Sequence, residues 1–442
     1  MTLTRRLRVV LPVWLLLAIS LPAAAQVRSL TILHTNDLHA RLLPGANRRG
    51  GLAQLASILR HETEGCSSCL ILNGGDLVQG SPVSTSYQGL PIYELANLLN
   101  FDASVLGNHE FDYGWEKISE FLRAARFPTV TANVEDQNGR LLAEQAYVIL
   151  PVNGIRVAIV GALTADLPRL TTPDLQGPWR VQPVVDTVRR YAREVQEKSD
   201  LIVVLGHLSE PEENALLREA PEVAVVISGH KHAGLDSPKQ AGNRIAVRAK
   251  AFGEEIGRLD LEVDVGKKSV ARSSWKRIPV EAGTLPPAED VARAVAQWEN
   301  KVTKVVDVPI GTAKHSFDQA ALQPLLERAL AEQMGTDLAF VNLGGIRTFL
   351  PAGTILARHV WNIMPFDNTI VIGKFRGSQL PPAITSRYPV EPDREYTLAT
   401  FDFVATNQLA ELGVSGLQFP DQTHRLVRDV LIDWIKKQRI IE

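Results

Sequence analysis

Short apolar runs at residues 30–33, 70–72, 103–106, 157–160, 201–205 and 223–227 alternate with stretches in which apolar residues recur every three or four positions. The runs have the length of buried strands. The intervening pattern, seen in Val184, Val188, Tyr191 and Val195 and again in Ile118, Leu122 and Ala125, is that of helices with one core-facing side. Strands alternating with helices predict an α/β domain over residues 26–265. Near Val265 the pattern breaks into turn-rich segments at 266–268 and 283–287, and Pro286-Pro287 precedes a run with Val291, Val295, Trp298 and Val302 on one face. Residues 266–305 therefore read as a linker ending in a linking helix. Beyond it, residues 306–442 form a second domain. One helix is predicted over residues 319–334, burying Leu322, Leu325, Leu326, Ala329 and Leu330, with Asp318 as N-cap and Gly335 as stop. A terminal helix buries Leu426, Val427, Val430, Leu431 and Trp434.

The first 25 residues are different in kind. Arg5, Arg6 and Arg8 precede an apolar run at 9–21 and then Ala23-Ala24-Ala25, the layout of a cleavable signal peptide. A membrane anchor fits less well, because Pro12 interrupts the run and it falls short of the roughly 20 apolar residues that span a bilayer. The arginine pair lacks the rest of a twin-arginine pattern. The expectation is a periplasmic or secreted protein cleaved after Ala25, with no membrane span. In such a compartment the two cysteines, Cys66 and Cys69, predict a small structural disulfide. The formal net charge of −2 offers no basic excess for a nucleic-acid polymer, and the leader would take three arginines with it.

Chemistry enters at the ends of the strands. Asn36-Asp37-Leu38-His39 follows the first run, Gly74-Gly75-Asp76 the second, Gly107-Asn108-His109 the third, Gly206-His207 a later one and Gly229-His230-Lys231-His232 the last. One histidine after a strand is ordinarily a turn or core residue. Five strand ends that each carry a metal-binding side chain should instead converge on one crevice, because open α/β sheets bind ligands outside the carboxyl ends of their strands. Asp, Asn and His without Cys suit divalent Mn, Fe, Co or Zn. The set is large enough for two ions. Two cations some 3.5 to 4 Å apart need an anionic bridge, for which Asp76 is the natural candidate. Asp37, His39 and His232 would complete one site, and Asn108, His207 and His230 the other. Between them the cations would activate a hydroxide for in-line attack on phosphorus.

These motifs, together with His34-Thr35-Asn36-Asp37, Gly50-Gly51-Leu52-Ala53, residues 74–80 and residues 107–114, resemble those of the secreted 5′-nucleotidase and UDP-sugar hydrolase family of calcineurin-like dinuclear metallophosphoesterases. The resemblance implies a four-layer α/β/β/α catalytic domain and a smaller α/β substrate domain. It assigns the same seven metal ligands, makes His109 a catalytic residue that stabilises the phosphoryl transition state, and gives Asp112 the role of orienting it. His34 is expected to be a hydrogen-bonded core histidine, and Arg41 solvated surface near the cleft.

In the second domain, residues 342–347 (Asn-Leu-Gly-Gly-Ile-Arg) match a family element whose Asn and Arg contact substrate, here Asn342 and Arg347, and residues 364–368 match a second turn. Other family features are missing. The loop expected after Ala405 is replaced by Thr406-Asn407-Gln408-Leu409, and the chain after Leu380 is too short for the strand that carries a base-stacking Phe. Phe401, Phe403 and Phe419 are expected in the core. The resemblance implies hydrolysis of nucleoside 5′-monophosphates or related small phosphate esters. A phosphodiesterase or pyrophosphatase acting on cyclic nucleotides or nucleotide sugars is the second reading, and a non-catalytic periplasmic nucleotide-binding protein the third.

Overall fold

The computed structural model describes residues 27–442, so the expected signal peptide lies outside the described residues. Each predicted strand is present. Val27–Thr35, Cys69–Asn73, Ala103–Val105 and Thr129–Val130 lie parallel in one six-stranded sheet, completed by the antiparallel pair Glu255–Asp264 and Ser269–Pro279. Ile155–Leu163, Leu201–His207, Val225–Ser228 and Arg244–Val247 lie parallel in the second, flanked by Tyr147–Val152 and Lys239–Ala241.

Alternation along these strands builds three apolar layers. Ile32, Leu72, Val105, Ile159, Val203 and Ile227 meet between the two sheets. Leu33, Ile71 and Leu106 face the helices Leu52–Thr63 and Trp115–Ala124 on one outer side, and Ala158, Val160, Ile202 and Val204 face Val184–Val195 and Glu210–Glu219 on the other. The result is the four-layer α/β/β/α sandwich. The helical faces are shifted slightly from expectation. Phe121 is buried in the place expected of Leu122, because the helix begins at Trp115 and Ala125 is only its cap.

The segment 266–305 is not all linker. Lys268 turns the chain with φ +52° and Ser269–Pro279 then pairs along Glu255–Asp264, so this hairpin belongs to the first sheet. The helix Glu289–Val306 follows, and Val291, Val295, Val302 and Val306 pack into the apolar layer of the first domain. Beyond it, a three-stranded sheet (Pro309–Ala313, Gly353–Leu356, Ile440–Ile441) and a four-stranded sheet (Leu338–Ala339, Thr369–Arg376, Glu395–Phe401, Asp421–Leu426) share a separate core. The helices Gln319–Met334 and Val427–Gln438 pack on it. The Asp318 carboxylate accepts from Ala321 N at 2.8 Å and Gly335 ends the first of them with φ +67°. Leu325 is only partly buried, and Glu327 takes a buried place instead, accepting from Val341 N, Arg387 and Tyr388. Leu426, expected in the terminal helix, is its N-cap at the end of the preceding strand.

The two halves are tied beside the cleft. Arg358 binds Asp307 and Glu299 at the end of the linking helix (2.6 and 2.7 Å), and the Thr85 hydroxyl donates to Pro365 O at 3.1 Å. Cys66 and Cys69 are bridged. His34 is fully buried, but it stacks on Trp275 and neither ring nitrogen has a hydrogen-bond partner; burial holds its pKa down at about 3 and the ring neutral.

Candidate functional site

The parallel strands all deliver their carboxyl ends to one edge of the sandwich. There the chain turns abruptly: Asp37, His39, Asp76, His230 and His232 all adopt positive φ, between +46° and +76°. For non-glycine residues this backbone costs about 1–3 kcal/mol each and persists where the surroundings impose it. It curls each side chain back over its strand end toward a common point. Gly107 completes the turn, since a Cβ there would lie 2.1 Å from Asp76 Oδ1.

Asp37, His39, Asp76 and His232 each offer a ligand atom within 4.8 Å of the others. On the other side of Asp76, His207 Nε2 is 3.1 Å from Asp76 Oδ2 and 3.2 Å from Asn108 Oδ1, and the His230 ring centroid is 5.1 Å from that of His207. All seven expected ligands are therefore in one constellation centred on Asp76, buried but for the partly exposed His230 and His232. His207 Nδ1 donates to Gly74 O at 2.8 Å, which orients the ring with Nε2 facing Asp76 and Asn108. Asn36 Nδ2 donates to Asp37 Oδ2 at 2.6 Å and holds that carboxylate in place.

By itself this constellation is electrostatically unsatisfied. His39 Nε2 and His232 Nε2 face one another at 2.9 Å, and two buried carboxylates lie side by side. Burial pushes Asp37 up to about 6 and holds His230 and His232 down at about 3. His207 goes the other way: burial opposes its charge, but Asp76 raises it to about 10. Neutral imidazoles and buried carboxylates aimed at one space are the donor set of divalent cations, which would offset this desolvation.

His109 stands apart from that set. Its Nδ1 meets Asp112 Oδ2 at 2.8 Å, and its Nε2 lies 4.0 Å from Asp76. Burial disfavours the imidazolium, but Asp112 and Asp76 together raise the pKa above the usual histidine value. The ring stacks on Phe366, with centroids 5.8 Å apart, and the Arg347 guanidinium also lies over that aromatic, 5.7 Å from its centroid. Arg347 Nη2 is 3.4 Å from His39 Nε2, so the second domain brings a guanidinium to the cluster. Asn342 is not brought with it. It is buried beside Gly345, where a Cβ would meet its Oδ1 at 2.8 Å, and that oxygen has no hydrogen-bond partner. Phe401 and Phe419 are buried in the core and Phe403 packs against it.

Sequence reasoning gives Glu110 no role, yet it holds the loops in register. Its buried carboxylate accepts from the backbone N–H groups of Gly107 (2.5 Å), Leu77 (2.8 Å), Asp76 (3.2 Å) and Val78 (3.5 Å). Burial and Asp76 push its pKa up to about 7. The only signal is its place in Gly-Asn-His-Glu. Glu110→Ala leaves those donors buried without an acceptor, and an unsatisfied group costs about 1–3 kcal/mol. The expected outcome is a loss of about 3 kcal/mol or more, measured from urea unfolding in chelator so that cation loss does not contribute.

A family profile described as calcineurin-like phosphoesterase matches residues 30–234, and one for the 5′-nucleotidase C-terminal domain matches residues 301–388. The chain thus carries a calcineurin-like phosphoesterase domain followed by a 5′-nucleotidase C-terminal domain. It is similar to the trifunctional nucleotide phosphoesterase protein YfkN of Bacillus subtilis, 26% identical over 80% of this chain but spanning only 27% of that protein. With protein UshA of Yersinia enterocolitica it shares 24% identity over 90% of this chain and 84% of the relative. The crystal structure of a 5′-nucleotidase precursor from Thermus thermophilus superimposes with a TM-score of 0.85 at 23% identity, covering 94% of this chain and 97% of the other, and shows the same fold. The profile over the first domain is that of a phosphoesterase, a class of hydrolases. Among the described residues no helix is long and apolar enough to cross a membrane.

Proposed function

We propose that this phosphoesterase is an exported phosphomonoesterase hydrolysing nucleoside 5′-monophosphates or related phosphate esters. Two divalent cations (Mn, Zn, Fe or Co) would be held, one by Asp37, His39, Asp76 and His232, the other by Asp76, Asn108, His207 and His230. The observation that carries this reading is the constellation centred on Asp76, with four ligand atoms within 4.8 Å on one side and His207 and Asn108 on the other. Export rests on the leader sequence and agrees with the Cys66–Cys69 bridge. The catalytic domain ends with the hairpin at Pro279, and the substrate domain begins after the helix Glu289–Val306.

Cations bound here supply Lewis acidity at the phosphoryl oxygens and lower the pKa of water. The chain's own groups do the rest. His109, kept protonated by Asp112, donates from Nε2 toward the negative charge that develops on the phosphoryl group. Arg347 approaches from the second domain and binds the same group or the ester oxygen. Asp112 holds the His109 ring in position.

The test is phosphate release from a panel of nucleoside 5′-monophosphates, cyclic nucleotides and nucleotide sugars, with each candidate metal and with chelator. Chelator should abolish activity, and monoesters should be the better substrates. Because Phe401 and Phe419 are in the core, kcat/KM should vary by no more than about tenfold among adenine, guanine and pyrimidine monophosphates; stacking a base is worth roughly 1–3 kcal/mol where it exists. Turnover of diesters alone would install the phosphodiesterase reading.

A further inference from the structure

Phe252 packs at the edge of the cluster. Its ring meets those of His39 and His232, with centroids 5.4 and 5.2 Å away, and the Arg41 guanidinium lies over it at 5.1 Å. Arg41 is half-buried rather than simply solvated, and among the described residues it forms no ion pair. Glu254, the nearby carboxylate, is engaged by Lys250 at 2.7 Å and Asn47 at 2.9 Å.

A cleft of about 490 Å³ runs from His39 past Arg41 to Asn47 and is closed on the second-domain side by Arg347, Phe349 and His359. Gln79 also lines it. That side chain is 1% exposed, and neither atom of its carboxamide has a hydrogen-bond partner. A buried amide without a partner is costly, so its presence here points to a ligand that supplies one. Arg358, the other guanidinium of the cleft, is fully occupied by Asp307 and Glu299. Among the described residues, Arg347 beside the cluster and Arg41 over Phe252 have no carboxylate partner, and the Gln79 carboxamide has no hydrogen-bond partner.

We propose that the cleft receives the leaving group of the ester and that Arg41 and Gln79 bind a second anionic group, phosphate or carboxylate, carried on it. This rests on the phosphomonoesterase reading. Arg347 and His109 serve the scissile phosphoryl group, which leaves Arg41 to pair with the second anion. A planar guanidinium binds either oxyanion in two-point fashion.

Two matched pairs separate the sources: glycerate 3-phosphate against glycerol 3-phosphate for carboxylate, and fructose 1,6-bisphosphate against fructose 6-phosphate for phosphate. The metal-loaded enzyme should favour the anion-bearing member of at least one pair by about tenfold to a hundredfold in kcat/KM, the scale of one charged hydrogen-bonding partner. Arg41→Gln should bring that ratio close to one, and Gln79→Leu should lower it, with cation content unchanged in both. Ratios near one in the parent enzyme, or a preference that survives Arg41→Gln, would overturn the proposal. Phenyl phosphate separates the two levels of inference. If it is hydrolysed without any preference within the pairs, only the subsite fails; if it and both pairs are inert, the phosphomonoesterase reading fails and takes the subsite with it.

Discussion

Asp76→Asn is expected to yield a folded protein that holds cations poorly at both positions and turns over phosphate esters at least about a thousandfold more slowly. Asp76 Oδ2 lies 3.1 Å from His207 Nε2 and 3.7 Å from His39 Nε2, whereas Asp37 comes no closer than 3.9 Å to His207, so Asp76 is the carboxylate placed to serve both halves of the constellation. An amide has no charge to offset the repulsion of two cations, and that repulsion grows steeply in a buried site. The amide retains an oxygen for His109 N, which now donates to Asp76 Oδ1 at 2.9 Å, so the loop should keep its shape. Elemental analysis of the purified variant, beside its thermal melt in chelator, separates cation loss from unfolding. A fully loaded and active Asp76→Asn enzyme would sink the bridging assignment.

His109→Ala should behave in the opposite way with respect to metal. The side chain is committed to Asp112, with Nε2 4.0 Å from Asp76 and the ring edge-on to His39, while its backbone N–H, which alanine keeps, is what supports Asp76. Cation content should therefore be unchanged. kcat should fall by about a hundredfold or more, the effect of removing one preorganised transition-state donor. Asp112→Asn should lose less, because an amide oxygen still accepts from Nδ1 although it no longer favours the imidazolium. Steady-state kinetics with parallel metal analysis decides between roles. If His109→Ala gave up a cation and showed no defect beyond that loss, the residue would be a ligand and not the donor.

Much of this site is legible in the order of residues alone. Strand periodicity locates the parallel strands, and chain direction sends the carboxyl ends of parallel strands to one edge. Asp37, His39, Asp76, Asn108, His207, His230 and His232 can therefore be grouped from their positions after apolar runs. The second domain is less legible. Asn342 and Arg347 sit five residues apart in one motif, yet the 3₁₀ turn Leu343–Gly345 between them separates their side chains: Arg347 reaches His39, whereas Asn342 turns inward.

Local periodicity and residue type at strand ends are enough to specify the layered α/β class, the first-domain strands and the chemical character of the metal-binding set. That Ser269–Pro279 extends the first sheet emerges only in the folded chain, since a hairpin partner is not encoded in the strand's own pattern. The same is true of Glu110 gathering the N–H groups of two separate loops, Phe366 stacked on His109, and Arg41 set over Phe252 beside the cluster. Each of these depends on contacts between groups far apart in the chain. Side-chain identity fixes what a residue can donate, accept or bury, and only the packed fold fixes which group it meets.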